Sequence, residues 1–396
     1  MNLPPHTTRR DCDARSQATA LVHETRPASH GGRRSVPVGP ARSGGGLFCL
    51  GFSDEVRPGK VITRRLVDRD VVLYRTRKGL LRAVEAYCPH LGAHLGVGGT
   101  VEGENLVCPF HRFSYGPDGT CVQTAYGKRP PKARLGQLEV REINGGIIFA
   151  WYDRDGRPPS WELPEVDLTG FSPLVHITVE MPTHPQEIGE NTVDEGHFPV
   201  MHKSPILAIE PYTFTGHVLG LNFTMRVPLP HLPRAALTVS YDGELHGLGY
   251  TAGSMTLKAG PVLRGWIMPT VVGPWRIQLR FAACLRLPAP RWLPDRLGQV
   301  LAYAGARALC DIGLRTTAAG FVLNDDSPIW HTKRYQAAPR LAEGDGPIMA
   351  YRRWAQQFYP GGEPADEQKD AHAATVPSDR QAPLLLPDTA RASSAP

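Results

Sequence analysis

Short apolar runs separated by Gly and Asp turns fill residues 46–155, the pattern of a small all-β domain. Val71–Arg75 and Leu81–Ala86 are two such runs. Gly146–Trp151 is continuously apolar, as a strand buried on both faces should be. Pro and Gly then crowd Asp153 to Pro164 and mark a linker. A second domain is predicted over 156–360. It opens with a helix from Gln186 towards His202, and strands follow from about Tyr212 to Leu287. Arg276–Phe281 alternates polar and apolar, which suits a half-buried strand. Residues 294–322 carry helical spacing, with Leu297, Val300, Leu301, Ala304 and Leu309 near one face. Residues 1–45 and 361–396 are polar and are read as a disordered arm and a disordered tail. The fold class predicted is α+β: an N-terminal all-β domain, then an antiparallel sheet with helices.

Composition removes several functions. The net charge is +6, with no dense Lys/Arg run among aromatics, so nucleic-acid binding is not expected. A mildly basic surface suits an acidic redox partner. No run of 18 apolar residues exists, so no integral membrane segment is expected. The first 45 residues lack the apolar core of a secretory signal, and a cytoplasmic location is expected. Seven cysteines form an odd set in a long chain, which argues against a disulfide framework.

Two cysteines have histidine companions. Cys88-Pro89-His90 opens a Gly-rich loop, and Cys108-Pro109-Phe110-His111 follows after a spacer of 17 residues. Each half brings one thiolate and one imidazole to a loop tip. Two cysteines on one iron and two histidines on the other make a Rieske [2Fe–2S] cluster. A zinc finger would instead pair Cys with Cys and His with His. His94 lies in the first loop but is surplus to the four ligands.

A second constellation stands at Glu190-Asn191-Thr192-Val193-Asp194-Glu195-Gly196-His197-Phe198-Pro199-Val200-Met201-His202. On one helix Asn191, Asp194 and His197 would share an arc of about 120°. Pro199 ends the regular helix and lets His202 swing back. Two histidines with one carboxylate form the facial triad of a mononuclear Fe(II) site that leaves positions open for O2. The carboxylate is expected from elsewhere. Asp326 is the first choice, with Asp325 and Asp311 as alternatives.

Together these motifs resemble the Rieske non-heme iron oxygenases of the aromatic-ring-hydroxylating type, over roughly residues 46–360. Cys88–Gly99, Asn144–Pro164 with Trp161, Ile329–Tyr335, Arg353-Trp354 and Gln357–Tyr359 resemble the branch of 3-ketosteroid 9α-hydroxylase and the cholesterol 7-desaturases. In that branch an Asp three residues before the Ile-Trp pair binds iron; here it is Asp326. The resemblance implies a helix-grip catalytic domain and a homotrimer, with Asp194 bridging a cluster histidine and an iron histidine of adjacent subunits. It implies a ferredoxin or flavin-dependent NAD(P)H reductase as electron donor. With O2 as the oxidant, an apolar small molecule, steroid-like or polycyclic, would be hydroxylated or desaturated. Alternative readings are a non-steroid aromatic or secondary-metabolite substrate, a pure electron carrier, and a degenerate oxygenase that only binds a ligand. The second loop departs from the family at Arg112, where H-G-W is common. Ala93 and Phe110 occupy the positions that carry an extra disulfide in respiratory Rieske proteins.

Overall fold

The computed structural model describes residues 45–229, 232–257, 260–288, 295–317 and 324–359. The arm and tail read from the sequence lie outside them, Gly45 excepted.

The first lobe is all β. Its strands are β1 (Gly46–Phe52), β2 (Val61–Leu66), β3 (Arg69–Arg75), β4 (Leu81–Glu85), β5 (Thr100–Glu102), β6 (Asn105–Val107), β7 (Ser114–Tyr115), β8 (Cys121–Gln123), β9 (Gln137–Leu138), β10 (Val140–Ile143) and β11 (Ile147–Tyr152). They form three small antiparallel sheets ordered β1-β11-β10, β2-β3-β4-β9 and β5-β6-β7-β8. The Gly146–Trp151 run becomes β11, the middle strand of its sheet. Residues 144–146 all have positive φ, which turns the chain between β10 and β11. The Asn144 amide there donates to Pro164 O and accepts from Val166 N, so it pins the linker to the lobe.

The second lobe is one antiparallel sheet with helices on one face. It contains β12 (Val175–Met181), α1 (Pro185–Val193), α2 (His197–Val200), β13 (Ile206–Ile209), β14 (Thr213–Thr215), β15 (Val218–Leu229), β16 (Leu232–His246), β17 (Tyr250–Leu257), β18 (Val262–Gly273), β19 (Arg276–Arg286), α3 (Asp295–Thr317), α4 (Ser327–Thr332) and α5 (Ile348–Gln356). The strand order is β12-β19-β18-β17-β16-β15-β13, with β14 paired to β15.

Alternation along the strands divides the two faces. Tyr250, Ala252, Trp266, Met268, Ala282 and Cys284 pack against Leu47, Cys49, Phe52, Ile147 and Phe149 of the first lobe. The two lobes therefore share a core. Thr270 Oγ1 and Arg280 Nη1 both donate to Cys49 O, at 2.6 and 2.9 Å, across that seam. On the opposite face, α1 and α5 cover the β15–β16 end, and α3 and α4 cover the β19–β12 end.

One expectation needs correction. The segment 186–202 is not one helix as far as His197. Helix α1 stops at Val193, and Asp194 leaves helical geometry with ψ 94°. Helix α2 begins afresh at His197, with Pro199 in its first turn, where a missing N–H costs nothing. Asn191, Asp194 and His197 thus converge through a turn, not along one helical arc. In α3, the side against the sheet is that of Ala306, Cys310 and Leu314. Leu297, Val300, Leu301 and Leu309 are 49–62% exposed.

Candidate active site and cluster loops

The two cluster loops repeat one backbone design. In the first, Cys88 N donates to Ala93 O and Gly92 N donates to Cys88 O, both at 2.9 Å. In the second, Cys108 N donates to Phe113 O at 2.9 Å and Arg112 N to Cys108 O at 3.1 Å. Gly92 takes a φ of +74° and Arg112, its counterpart, +53°. Arg112 therefore sits in left-handed backbone that suits glycine, and its guanidinium pairs with Glu102 on the surface.

Side chains then converge at the tips. Cys88 and Cys108 are buried, while His90 and His111 lie half-buried at the rim. The histidine rings stand 4.9 Å apart, and His90 stacks on Phe113 at 4.1 Å. His111 Nδ1 is buried without a hydrogen-bond partner. Burial, then the neighbouring Cys88, pushes the Cys108 thiol up. Two close buried sulfurs and an orphaned imidazole nitrogen fit a metal cluster, which would deprotonate the thiols and bind that nitrogen. His94 takes no part. Its Nδ1 accepts from Gly96 N and its Nε2 faces Asp70 at 3.5 Å.

Sequence reasoning missed Tyr115. Its hydroxyl lies 2.9 Å from Cys88 Sγ, and burial first, then the Cys88 thiol, pushes its pKa far above the usual phenol range. The available signal was a tyrosine beside the second motif, since a buried phenol must find a polar partner.

The second site joins three separate segments. His197, His202 and Asp326 each offer one ligand atom, and those atoms lie within 4.8 Å of one another. His202 Nε2 faces Asp326 Oδ1 at 3.3 Å. Asn191 Nδ2 lies 3.2 Å from His197 Nε2 and 3.4 Å from Asp326 Oδ2. The far nitrogens are also engaged: His197 Nδ1 meets the Asp194 carbonyl at 2.5 Å, and His202 Nδ1 meets Asp325 Oδ2 at 3.2 Å. Such contacts fix ring orientation and direct both Nε2 atoms inward, towards Asn191 and Asp326. Burial lowers the His197 pKa and favours the neutral imidazole a ligand needs. At His202 burial acts the same way, but Asp326 and Asp325 more than offset it and the pKa rises.

The alternatives for the carboxylate separate cleanly. Asp326 faces the histidines, Asp325 orients one of them, and Asp311 pairs with Arg315 on the surface of α3. The Asp194 carboxylate accepts from His197 N at 3.2 Å and is 36% exposed. Burial raises its pKa, with Asp345 adding to the effect and His197 opposing it.

Residues 46–138 match the family described as the Rieske [2Fe-2S] domain, and residues 150–359 that described as the 3-ketosteroid 9alpha-hydroxylase C-terminal domain. The chain belongs to the Rieske non-heme iron oxygenases. It falls in their 3-ketosteroid 9α-hydroxylase and cholesterol 7-desaturase branch. It is 35% identical to cholesterol 7-desaturase nvd of Drosophila melanogaster over 79% of this chain and 74% of that protein. Identity to the 3-ketosteroid-9-alpha-monooxygenase oxygenase component of Mycolicibacterium smegmatis is 28%, over 83% and 86%. The fold is that of dicamba monooxygenase bound to dicamba, at 16% identity and a TM-score of 0.61 over 79% of this chain and 96% of that one. This member of the Rieske oxygenases is thus an oxidoreductase that uses a [2Fe–2S] cluster, and its His-His-Asp group is consistent with mononuclear non-heme iron. As an oxygenase component it works with a reductase. No described helix is long and apolar enough to cross a membrane.

Proposed function

We propose that this oxygenase hydroxylates or desaturates a steroid-like, fused-ring substrate, with Cys88, His90, Cys108 and His111 holding the cluster and His197, His202 and Asp326 holding the iron. The observation that carries the reading is the meeting of the three ligand atoms within 4.8 Å, with both histidine Nδ1 atoms already engaged by the protein. When bound, the mononuclear iron supplies O2 activation. The chain's own groups do the remaining work. The Asp194 carbonyl and the Asp325 carboxylate set the histidine rings, and Asn191 donates to Asp326 and holds it against them. Phe198 meets His202 edge-on and packs tilted against Phe223, which in turn stacks on Tyr241. An apolar wall of this kind beside the site favours a hydrocarbon-rich substrate, and relatives named for 3-ketosteroids and cholesterol point to a steroid skeleton.

The same reading takes the working enzyme to be a cytoplasmic homotrimer fed by a ferredoxin or a flavin-dependent NAD(P)H reductase. Leu91, Val97 and Phe110 are exposed around the cluster histidines, and Val200 and Leu207 around the other site. Two such apolar patches would cover one another head to tail between neighbouring subunits, with the half-exposed Asp194 between the centres. The test is a reconstituted reaction offered a panel of sterols, 3-ketosteroids and aromatic acids, read by mass spectrometry beside iron analysis. Three irons per chain and an oxidised steroid are expected. Two irons per chain, or oxidation of aromatic acids alone, would refute the reading.

A further inference from the structure

One segment singled out in the sequence, Ile329–Tyr335, has no role in the site described so far. The structure brings it against helices α1 and α5. Helix α1, whose last turn carries Asn191, also carries Glu187 and Glu190, and both are buried. Lys333, the residue that closes α4, sets its Nζ 2.5 Å from Glu187 Oε2 and 3.9 Å from Glu190 Oε1. On α5, Arg352 grips Glu190 with Nε at 2.6 Å and Nη2 at 2.9 Å. The same guanidinium lies 4.7 Å over the Tyr335 ring and donates to Gln336 O. Tyr351, also on α5, donates to Gln186 O at 3.1 Å.

Two carboxylates and two cations make a neutral quartet. Glu187 is 2% exposed, and neither of its carboxylate oxygens has a hydrogen-bond partner among the described residues. Lys333 makes the direct ion pair to it. Buried ion pairs add little stability over apolar side chains of the same size, and their best-attested use is to set register. The register at stake is specific. Helix α1 leads into Asp194 and His197, and α4 follows directly on Asp326. Lys333 therefore ties the histidine half of the triad to its carboxylate half.

We infer that Lys333, with Glu187, Glu190 and Arg352, is a positioning device that holds α4 against α1 and so sets the spacing between Asp326 and the two histidines. The inference rests on the iron site proposed above. Lys333 touches neither metal nor substrate, so its effect is read in the iron site and not in the fold.

Three variants test it, each with its cluster loaded and its mononuclear iron removed by a chelator. Fe(II) titration by calorimetry is paired with thermal melting and the cluster absorption spectrum. Lys333→Met with Glu187→Gln keeps the quartet neutral but removes the tie. It is expected to melt near wild type, keep its cluster spectrum and bind Fe(II) at least about tenfold more weakly. Glu187→Asp keeps every charge but shortens the reach by one methylene. It is expected to weaken Fe(II) binding about threefold or more with no change in melting, and it covers the case in which the double variant does not fold. His197→Ala is the reference and should lose the site outright. Wild-type Fe(II) affinity in either of the first two variants, while His197→Ala loses iron, overturns the positioning role alone. Retention of iron by His197→Ala overturns the site assignment itself.

Discussion

Tyr115→Phe removes one oxygen from a buried pocket and leaves the ring in place. Tyr115 is 0% exposed, and its hydroxyl sits 2.9 Å from Cys88 Sγ. With the phenol pKa raised by burial and then by Cys88, this hydroxyl remains a donor across the working pH range. It is directed at a sulfur whose negative charge grows when the cluster accepts an electron. A hydrogen bond to a charged acceptor contributes about 1.5–3 kcal/mol and a neutral-type one about 1 kcal/mol. The reduced state should therefore gain roughly 1 kcal/mol more from Tyr115 than the oxidised state does. For a one-electron couple about 59 mV corresponds to a tenfold change, about 1.4 kcal/mol. The variant's reduction potential should thus fall by about 40 mV. A redox titration followed by circular dichroism at several pH values near neutrality measures the shift, which should not vary with pH. The iron content should stay as in wild type. A potential unchanged to within about 10 mV would show that Tyr115 does not donate to a cluster sulfur, and the placement of Cys88 as a ligand would need revision.

Asp325→Asn keeps the shape of the His202 partner but removes its charge. Fe(II) affinity should fall about 10–100-fold while the cluster absorption is unchanged, which calorimetric titration would check. Arg112→Gly relieves left-handed strain of about 1 kcal/mol and loses an exposed ion pair with Glu102 of a few tenths. Its melting temperature should rise slightly by scanning calorimetry, and its cluster potential should fall because a positive charge no longer favours the reduced state. His184, buried as the N-cap of α1, has its pKa lowered by burial to about 4. The unfolded chain protonates near pH 6.5 and the folded one does not, so stability drains away as pH falls between those values, by about 2 kcal/mol at pH 5. His184→Asn, which can still cap the helix, should lose less melting temperature than wild type between pH 7 and pH 5.

Much of this site could be read along the chain because its parts are local. A cysteine and a histidine two or three residues apart must share a loop tip, so Cys88, His90, Cys108 and His111 announce their chemistry without any knowledge of the fold. His197 and His202 are legible for the same reason, being only five residues apart. A continuous apolar run showed β11 and alternation showed β19, and the Pro/Gly stretch after Asp153 showed where one lobe gives way to the next. What spacing could not settle were the contacts made across the sheet. Asp311, Asp325 and Asp326 look alike from the sequence, and only the packing of α4 beside α1 brings Asp326 to the histidines while Asp325 turns to His202 Nδ1. The break between α1 and α2 followed from Asp194 leaving helical geometry, a choice that helical spacing does not record. The outward leucines of α3 obey the same period as inward ones, so periodicity found the helix but not the side it presents to the sheet. Tyr115 and the Lys333 quartet depended wholly on tertiary structure, because a buried polar group is satisfied by whatever the fold places within reach. Local sequence determines which ligands a loop can offer. The carboxylate that completes the iron site, and the ion pairs that hold it there, come from segments more than a hundred residues apart, and only the packed sheet and helices bring them together.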